Sequence, residues 1–493
     1  MIVASFVIIL AIIIAIGLNA ARRAGDSREG YYLAGASSPP WLTALAALAT
    51  NNSGYLFTGF IGFTYIGGLQ TIWLSVGWIL GDFIASLFVY KQLRVARERT
   101  DEISFAAVLG TWNGGSYKTF RRIAALVTVV FLTAYASAQI AAGGKALFAT
   151  LDLAPHYGAI VTVGLVILYG AIGGVSASMW ANATQFVVML AAMVLLLFAA
   201  FASVGGLSIV IADLSAIDGY LDLWPSVDIG GPLLGGGLFI VGWVFAGLSV
   251  VGQPHIMTIY MTLKSPDKIN ETRWWYYSFY LAITVAATLV GLTARAMLPD
   301  LINSDPELAL PIMARELFPA ILVGVILAGV FSATLSTIDS LVLASSAAIT
   351  NELPNNTIDR TWKMRAVTTA LSLGALGVAL NGSQTVFSLV VMAWSTLGSA
   401  FGPMLIVYAL GRRLTEVNAI IVMAVGAVIA LLWRQQGWHT DVYEGFPGIG
   451  LGLLLAWALS TRSERPAASA AGIQGSSDKR EVQTNMRLSP VTH

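Results

Sequence analysis

Thr50-Asn51-Asn52-Ser53-Gly54 stands in the middle of an otherwise apolar stretch running from residue 41 to residue 66. Four consecutive polar side chains and a glycine at that depth are suited to breaking a helix. The unwound backbone then offers carbonyl oxygens to a cation, and the helix ends can face a small charged solute. A second cluster, Ala333-Thr334-Leu335-Ser336-Thr337-Ile338-Asp339-Ser340, interrupts another apolar stretch. Ser336 and Ser340 lie four residues apart and share a helical face, with Thr337 beside them. Serine and threonine hydroxyls can also bond their own helix backbone and need no further role. Asp339 is harder to explain that way, because a carboxylate costs a few kcal/mol at the bilayer centre and usually marks an ion or proton path. The alternative for Asp339 is a solvated place near the cytoplasmic mouth. A third polar interruption, Gly252-Gln253-Pro254-His255, ends a stretch that also holds Gly235-Gly236-Gly237, Gly242 and Gly247. These glycines read either as a second broken helix or as close helix packing. Tyr135 and Gln139 are four apart and point the same way from their helix.

The surrounding chain explains what must position these groups. Of its 493 residues 57% are hydrophobic and only 11% charged, against about 25% charged in a soluble domain. Apolar stretches of some 20 residues recur along almost the whole length, each enough to cross a ~30 Å hydrocarbon core. They show no alternating barrel pattern, so helices are expected. The reading is an all-α membrane protein with about thirteen spans, at 2–21, 41–66, 68–92, 120–148, 156–174, 180–203, 232–260, 274–297, 318–350, 366–383, 386–411, 416–434 and 445–461. The first stretch lacks a basic leader and is followed by Arg22 and Arg23, which suits a spanning helix rather than a signal peptide. Zero cysteines exclude disulfides, thiol catalysis and thiolate metal sites, four scattered histidines suggest no metal cluster, and a net charge of +1 offers nothing to nucleic acid. With no cysteine nucleophile, histidine cluster or paired carboxylates at membrane depth, an enzyme is not expected.

Charge sets the expected orientation. With the N-terminus outside and the C-terminus in the cytoplasm, 23 of the 27 Lys and Arg fall on the cytoplasmic side; Lys145, Arg295, Arg315 and Arg434 are the exceptions. This predicts a multi-pass protein of the cell membrane. Loops 206–230 and 299–316 are long enough for helices lying on the outer surface. From residue 462 the composition turns to that of a disordered cytoplasmic tail.

Five stretches together resemble the sodium:solute symporter family, and within it the sodium/proline symporter branch. They are Ser53-Gly54-Tyr55-Leu56; Gly173-Gly174 followed by Gln185; Gly252-Gln253-Pro254-His255-Ile256; Leu335-Ser336-Thr337 leading to Ser345-Ser346-Ala347; and Ala393-Trp394 continuing to Ala400-Phe401-Gly402-Pro403. The resemblance implies a LeuT-like 5+5 inverted repeat with flanking helices. Residues 41–204 would be the first five-helix repeat and 205–411 the second. Residues 1–40 would form a leading helix and loop, 412–461 two C-terminal helices, and 462–493 the tail. It also implies a sodium ion held by the backbone carbonyls of Ala49, Asn52 and Ala333 and the hydroxyls of Ser336 and Thr337. Such a neutral oxygen set suits a singly charged hard cation and is too small for calcium. The solute would lie beside Ser53 and Gly54, with Asn51, Tyr135, Gln139, Trp243 and Trp394 as candidate contacts.

The departures from that family matter as much. Where the proline branch has an aspartate two residues before the Ser-Gly pair, this chain has Asn51, and where the family usually has one three residues before the glutamine of span six, it has Asn182. Asp339 stands where some relatives use a hydroxyl residue in a second sodium site, so Asp339, Ser340 and Asn182 are a candidate second ion or proton site. The aromatic positions eight and four before the span-seven proline are Ala246 and Val250 here. The expected function is sodium-coupled uptake of a small organic solute by alternating access. An amino acid, a betaine-like osmolyte or a monocarboxylate fits; a sugar fits less well. Proton-coupled or uncoupled transport, and a membrane solute sensor, are the alternatives.

Overall fold

The computed structural model describes residues 1–462 apart from 25–26, 228, 355–357, 359 and 383–384; the predicted tail from 463 onward lies outside the described residues. The first elements are α1 (Ile2–Ala24), α2 (Arg28–Leu33) and α3 (Pro40–Asn51). After the break a π-helical turn, Tyr55–Phe60, runs into α4 (Ile61–Gly67), and α5 (Ile72–Thr100), α6 (Phe105–Thr111) and α7 (Lys118–Leu151) follow. Then come α8 (Pro155–Ser203), α9 (Leu207–Ser215), α10 (Pro232–Leu248), α11 (Pro254–Met261) and α12 (Ile269–Met297). The chain continues through α13 (Ala309–Leu317), α14 (Ala320–Glu352), α15 (Thr361–Asn381), α16 (Val386–Ala409), α17 (Glu416–Gln435) and α18 (Gly445–Leu459). A two-residue antiparallel pairing joins Arg412-Arg413 to Thr461-Arg462.

Among the described residues ten helical stretches are long and apolar enough to cross a membrane, with the shorter apolar Pro155–Leu168 and Gly445–Leu459 beside them. One of the ten, Tyr55–Thr100, joins the end of expected span two to all of span three. In lipid both faces of a helix can be apolar, so burial rather than polarity tells the two apart. α1 turns Phe6, Leu10 and Ile13 inward and leaves Val3, Val7, Ile8 and Ile12 exposed. α14 is the central column: every residue from Ile326 to Ala348 is buried, and the helix packs on α1, α7 and α8. α16 is likewise buried throughout Ala393–Ala409.

Three backbone features shape this bundle. Spans five and six form one long element, α8, interrupted at Gly174, whose φ of 60° and ψ of −162° turn the chain. A Cβ there would also meet the Tyr31 carbonyl oxygen at 2.5 Å, so only glycine is accommodated without strain. Between α5 and α10 the backbones approach at Gly81 and Gly247, where an added Cβ would collide with the Val244 and Trp78 carbonyl oxygens. Close packing therefore explains Gly247 and, against Tyr443, Gly242. The seventh span nevertheless breaks further on. α10 ends in a tight Ser249–Gly252 turn, Gln253 is extended, and Pro254 starts α11. Loops 206–230 and 299–316 hold the short helices α9 and α13. Three of the four exceptional cations meet carboxylates: Lys145 pairs with Asp305 at 2.7 Å and Glu307 at 2.5 Å, Arg315 with Asp152 at 3.3 Å, and Arg434 with Glu444 at 2.7 Å. The fourth, Arg295, lies 5.2 Å over the ring of Tyr65.

Candidate functional site

α3 stops at Asn51. Asn52 leaves the helical region at φ −87°, ψ 47°, its N–H still bonded to the Leu48 carbonyl at 2.8 Å. α14 crosses this break. The Ser336 hydroxyl donates to the carbonyls of Ala49 at 3.3 Å and Ala333 at 3.0 Å; Thr337 donates to Thr50 at 3.2 Å and Ala333 at 3.2 Å. Four of the five expected sodium ligands therefore form one cluster of neutral oxygens. Asn52 is joined to it by one turn of chain, with its side-chain amide nitrogen buried and without a partner. Ala49, Ala333, Ser336 and Thr337 are all fully buried. Hydroxyls bonded at 3.0–3.3 Å to carbonyls can turn their lone pairs to a cation at modest cost. The donor set suits a dehydrated monovalent ion.

A polar seam runs on from this cluster. Asn182 of α8 donates to Thr50 at 3.3 Å, Ser178 at 3.4 Å and Ser340 at 3.3 Å, and the Thr50 and Ser340 hydroxyls are 3.0 Å apart. Asp339 is 1% exposed, and neither carboxylate oxygen has a hydrogen-bond partner. In this structure Asp339 is therefore buried rather than solvated. Asp339, Ser340 and Asn182 thus share one region, lined from three helices.

On the other side of the break, Gly54 N–H donates to Gln139 Oε1 at 2.8 Å, and Tyr135 donates to the Ser53 hydroxyl at 3.3 Å. A side chain at 54 would meet Thr334 Cγ2 at 2.7 Å and Gln139 Oε1 at 2.8 Å, so glycine is needed for this approach. Several buried polar atoms around Ser53 and Gly54 have no partner: Asn51 Oδ1, Asn52 Nδ2, Tyr55 OH, Trp78 Nε1 and Gln139 Nε2. Buried polar groups are ordinarily hydrogen-bonded, so this concentration makes the region around Ser53 and Gly54 the candidate solute site.

A family model described as the sodium:solute symporter family matches residues 31–426. The chain belongs to the sodium:solute symporter family. The symporter is similar to the osmoregulated proline transporter OpuE of Bacillus subtilis (strain 168), 28% identical over 94% of this chain and 95% of that one. It is also 29% identical to the high-affinity proline transporter PutP of the same organism, over 92% and 96% of the two chains. Among solved structures a Na+-coupled sialic acid symporter in a substrate-bound outward-open state superposes with a TM-score of 0.78, at 16% identity over 94% of this chain and 99% of that one. The nucleobase-cation symporter Mhp1 gives 0.57 at 15% identity, over 90% of this chain and 96% of that one. The fold is LeuT-like, and the symporter is a sodium-coupled multi-pass membrane transporter of a small solute, not an enzyme.

The symporter does have aromatic walls, although Ala246 and Val250 remove them from span seven. Trp394 of α16 is fully buried and donates its indole N–H to the Ala246 carbonyl at 2.9 Å, which holds its ring against span seven. Trp78 lies 5.1 Å from Trp394 and 5.5 Å from Tyr55. Trp243 is buried rather than lipid-facing and sits further out, stacked 6.0 Å from Trp78 and 5.5 Å from Tyr443. With Phe63, Phe239 and Phe387 it lines a cavity of about 300 Å³ that also reaches Arg434 and Glu444.

Sequence reasoning did not select Trp78, Asp82, His255 or Tyr276. Asp82 carried the signal used for Asp339, a lone carboxylate inside an apolar helix. His255 lay within a motif already noted; it is buried against Tyr135 and Trp394, and neither ring nitrogen has a partner. For Tyr276 and Trp78, single aromatics in apolar helices, no sequence signal existed.

Proposed function

We propose that this symporter carries a small zwitterion into the cell with sodium, and that L-proline is the first solute to try. One observation carries the reading. The α3 break places the Ser336–Thr337 oxygen cluster on one side and the unpartnered polar atoms of Asn51, Asn52 and Gln139 on the other. In this reading Ala49, Asn52, Ala333, Ser336 and Thr337 hold the sodium. Ser53, Gly54, Tyr135 and Gln139 flank the solute, and Trp78 and Trp394 close over it. Ion and solute then stabilise the same broken segment, and each must tighten the other by an equal factor. Aromatic faces suit an ammonium group, and neutral N–H donors together with the sodium suit a carboxylate. The two relatives named above as proline transporters support starting with proline.

The driving force is adequate. One positive charge moving inward gains about 2.3 kcal/mol per 100 mV, and a tenfold sodium gradient adds about 1.4 kcal/mol. Together these support roughly several-hundred-fold accumulation of a neutral solute. Uptake of radiolabelled L-proline, glycine betaine and short monocarboxylates into proteoliposomes is expected to need an inward sodium gradient. Uptake driven equally well by a proton gradient in sodium-free buffer would overturn the coupling. The charge moved per solute in the same assay reports whether Asp339, Ser340 and Asn182 hold a second ion.

The proposed orientation has the N-terminus outside. It is supported by the lysine and arginine distribution and by the carboxylate partners of Lys145, Arg315 and Arg434. The chain has no cysteine, so single cysteines can test this orientation directly. Asp222→Cys is expected to react with an impermeant maleimide on intact cells, and Lys264→Cys only after permeabilisation. The reverse pattern rules the orientation out.

A further inference from the structure

Asp82 is a buried charge that neither the ion cluster nor the solute contacts use. It lies in α5 with no exposed surface, and among the described residues no Lys or Arg pairs with it. Three tyrosines serve it instead. Tyr90 donates to Oδ1 at 2.5 Å, Tyr277 to the same oxygen at 2.9 Å, and Tyr276 to Oδ2 at 2.9 Å. In its ionised form the carboxyl group accepts from all three hydroxyls at once, as the three hydrogen bonds run.

The consequence follows from counting protons. Tyr276 has one hydroxyl proton and gives it to Asp82, so its oxygen can only accept from the next group. That group is Asn51, whose Nδ2 donates to Tyr276 at 2.7 Å. An amide that commits its NH2 to one side presents its oxygen on the other. Asn51 Oδ1 is buried and unpartnered. Asn51 is the last residue of α3 and directly precedes the broken segment Asn52-Ser53-Gly54, which places it next to the residues around Ser53.

We propose that Asp82 is a positioning residue: through Tyr276 it sets the polarity of Asn51, so that the solute chamber is offered an amide oxygen rather than an NH2 group. The chamber then favours a solute whose nitrogen carries N–H donors, a primary or secondary ammonium, over a quaternary ammonium that has none. This rests on the reading that the chamber beside Ser53 and Gly54 holds the solute, and it goes further by naming what the chamber selects and which residue imposes the choice. The uncharged Asn51 needs a relay of this kind. A carboxylate at that position would accept from both sides and would have no polarity to set.

The experiment uses the full chain in proteoliposomes with radiolabelled L-proline, and 22Na+ binding to the purified protein without solute. Asp82→Asn lets residue 82 donate to Tyr276, which frees the tyrosine to donate to Asn51 and allows the amide to turn over. Tyr276→Phe cuts the relay while leaving Asp82 with Tyr90 and Tyr277. Both are expected to raise the half-saturating L-proline concentration about tenfold, on the order expected for an acceptor replaced by a donor, with 22Na+ binding unchanged. Asn51→Asp added to Asp82→Asn is expected to restore proline uptake to within about threefold of the parent. Should Asp82→Asn fail to insert, Tyr276→Phe carries the same test. Unchanged proline affinity in Tyr276→Phe, or no rescue by Asn51→Asp in a protein that still binds 22Na+, overturns the relay alone. A parent protein that binds 22Na+ but moves no L-proline overturns the solute reading on which the relay rests.

Discussion

Replacing Ser336 and Thr337 together by alanine is expected to raise the half-saturating sodium concentration for uptake by thirtyfold or more. The two hydroxyls are half of the oxygen cluster at the α3 break, and each reaches a carbonyl of that broken segment as well as Ala333. A hydrogen bond or ligand contact made in a fully buried place contributes about 1–3 kcal/mol when its partner is charged, and losing two such contacts to one ion should multiply. The Ala333 carbonyl accepts both hydroxyls but also belongs to the α14 helix, so the double variant should insert and fold. Solute affinity measured at saturating sodium should change much less, because ion and solute are coupled through the segment between them. Sodium titrations of solute uptake at a fixed solute concentration provide the measurement. A double variant with parental sodium dependence removes the ion from this place.

Gly54→Val should abolish transport, to below a tenth of the parent rate, in protein that still reaches the membrane. The atoms that block a side chain there are on different helices: the Thr334 methyl of α14 at 2.7 Å, Gln139 Oε1 of α7 at 2.8 Å and the Ala142 Cβ at 3.2 Å. Gln139 Oε1 is also the acceptor for the Gly54 N–H, so it cannot withdraw without leaving that donor unpaired at a cost of about 1–3 kcal/mol. A valine must therefore push the break away from α7 and α14 together, and these are the helices that carry Gln139 and the Ser336–Thr337 cluster. Gly54→Ala, with a single methyl, is expected to retain a small part of the activity. Surface expression and size-exclusion behaviour distinguish lost transport from lost folding. A valine variant working at half the parental rate would show that the close approach is dispensable.

The contrast between Asp339 and Asp82 shows how far the chain could be read without its fold. Both are single carboxylates in apolar helices, and hydropathy alone marks both as expensive. Asp339 drew notice because Ser336, Thr337 and Ser340 surround it in sequence, within reach along one helix. The groups that make Asp82 intelligible are eight, 194 and 195 residues away, and no local period brings α12 against α5. Trp394 is similar. Its place in a recognisable stretch nominated it, but only the tertiary structure shows its indole N–H bonded to the span-seven carbonyl of Ala246, 148 residues away.

What the amino-acid order determined by itself is whatever depends on neighbours along the chain and on the solvent. Lengths of apolar sequence dictate helices that cross a bilayer, because backbone groups in hydrocarbon must bond within their own segment. Thr50 to Ser53 pointed to a break; at Gly252-Gln253-Pro254 the sequence left a break and close packing open, and the structure shows both, packing at Gly242 and Gly247 and a break before Pro254, which lacks the N–H that a continuing helix needs there. Only the tertiary structure decided which oxygens meet across the break, which buried amides remain unpartnered, and which carboxylates answer the cations Lys145, Arg315 and Arg434. Those are contacts between segments far apart in the chain, and in lipid a largely apolar helix has no preferred face until small residues and close backbone approach select its neighbour.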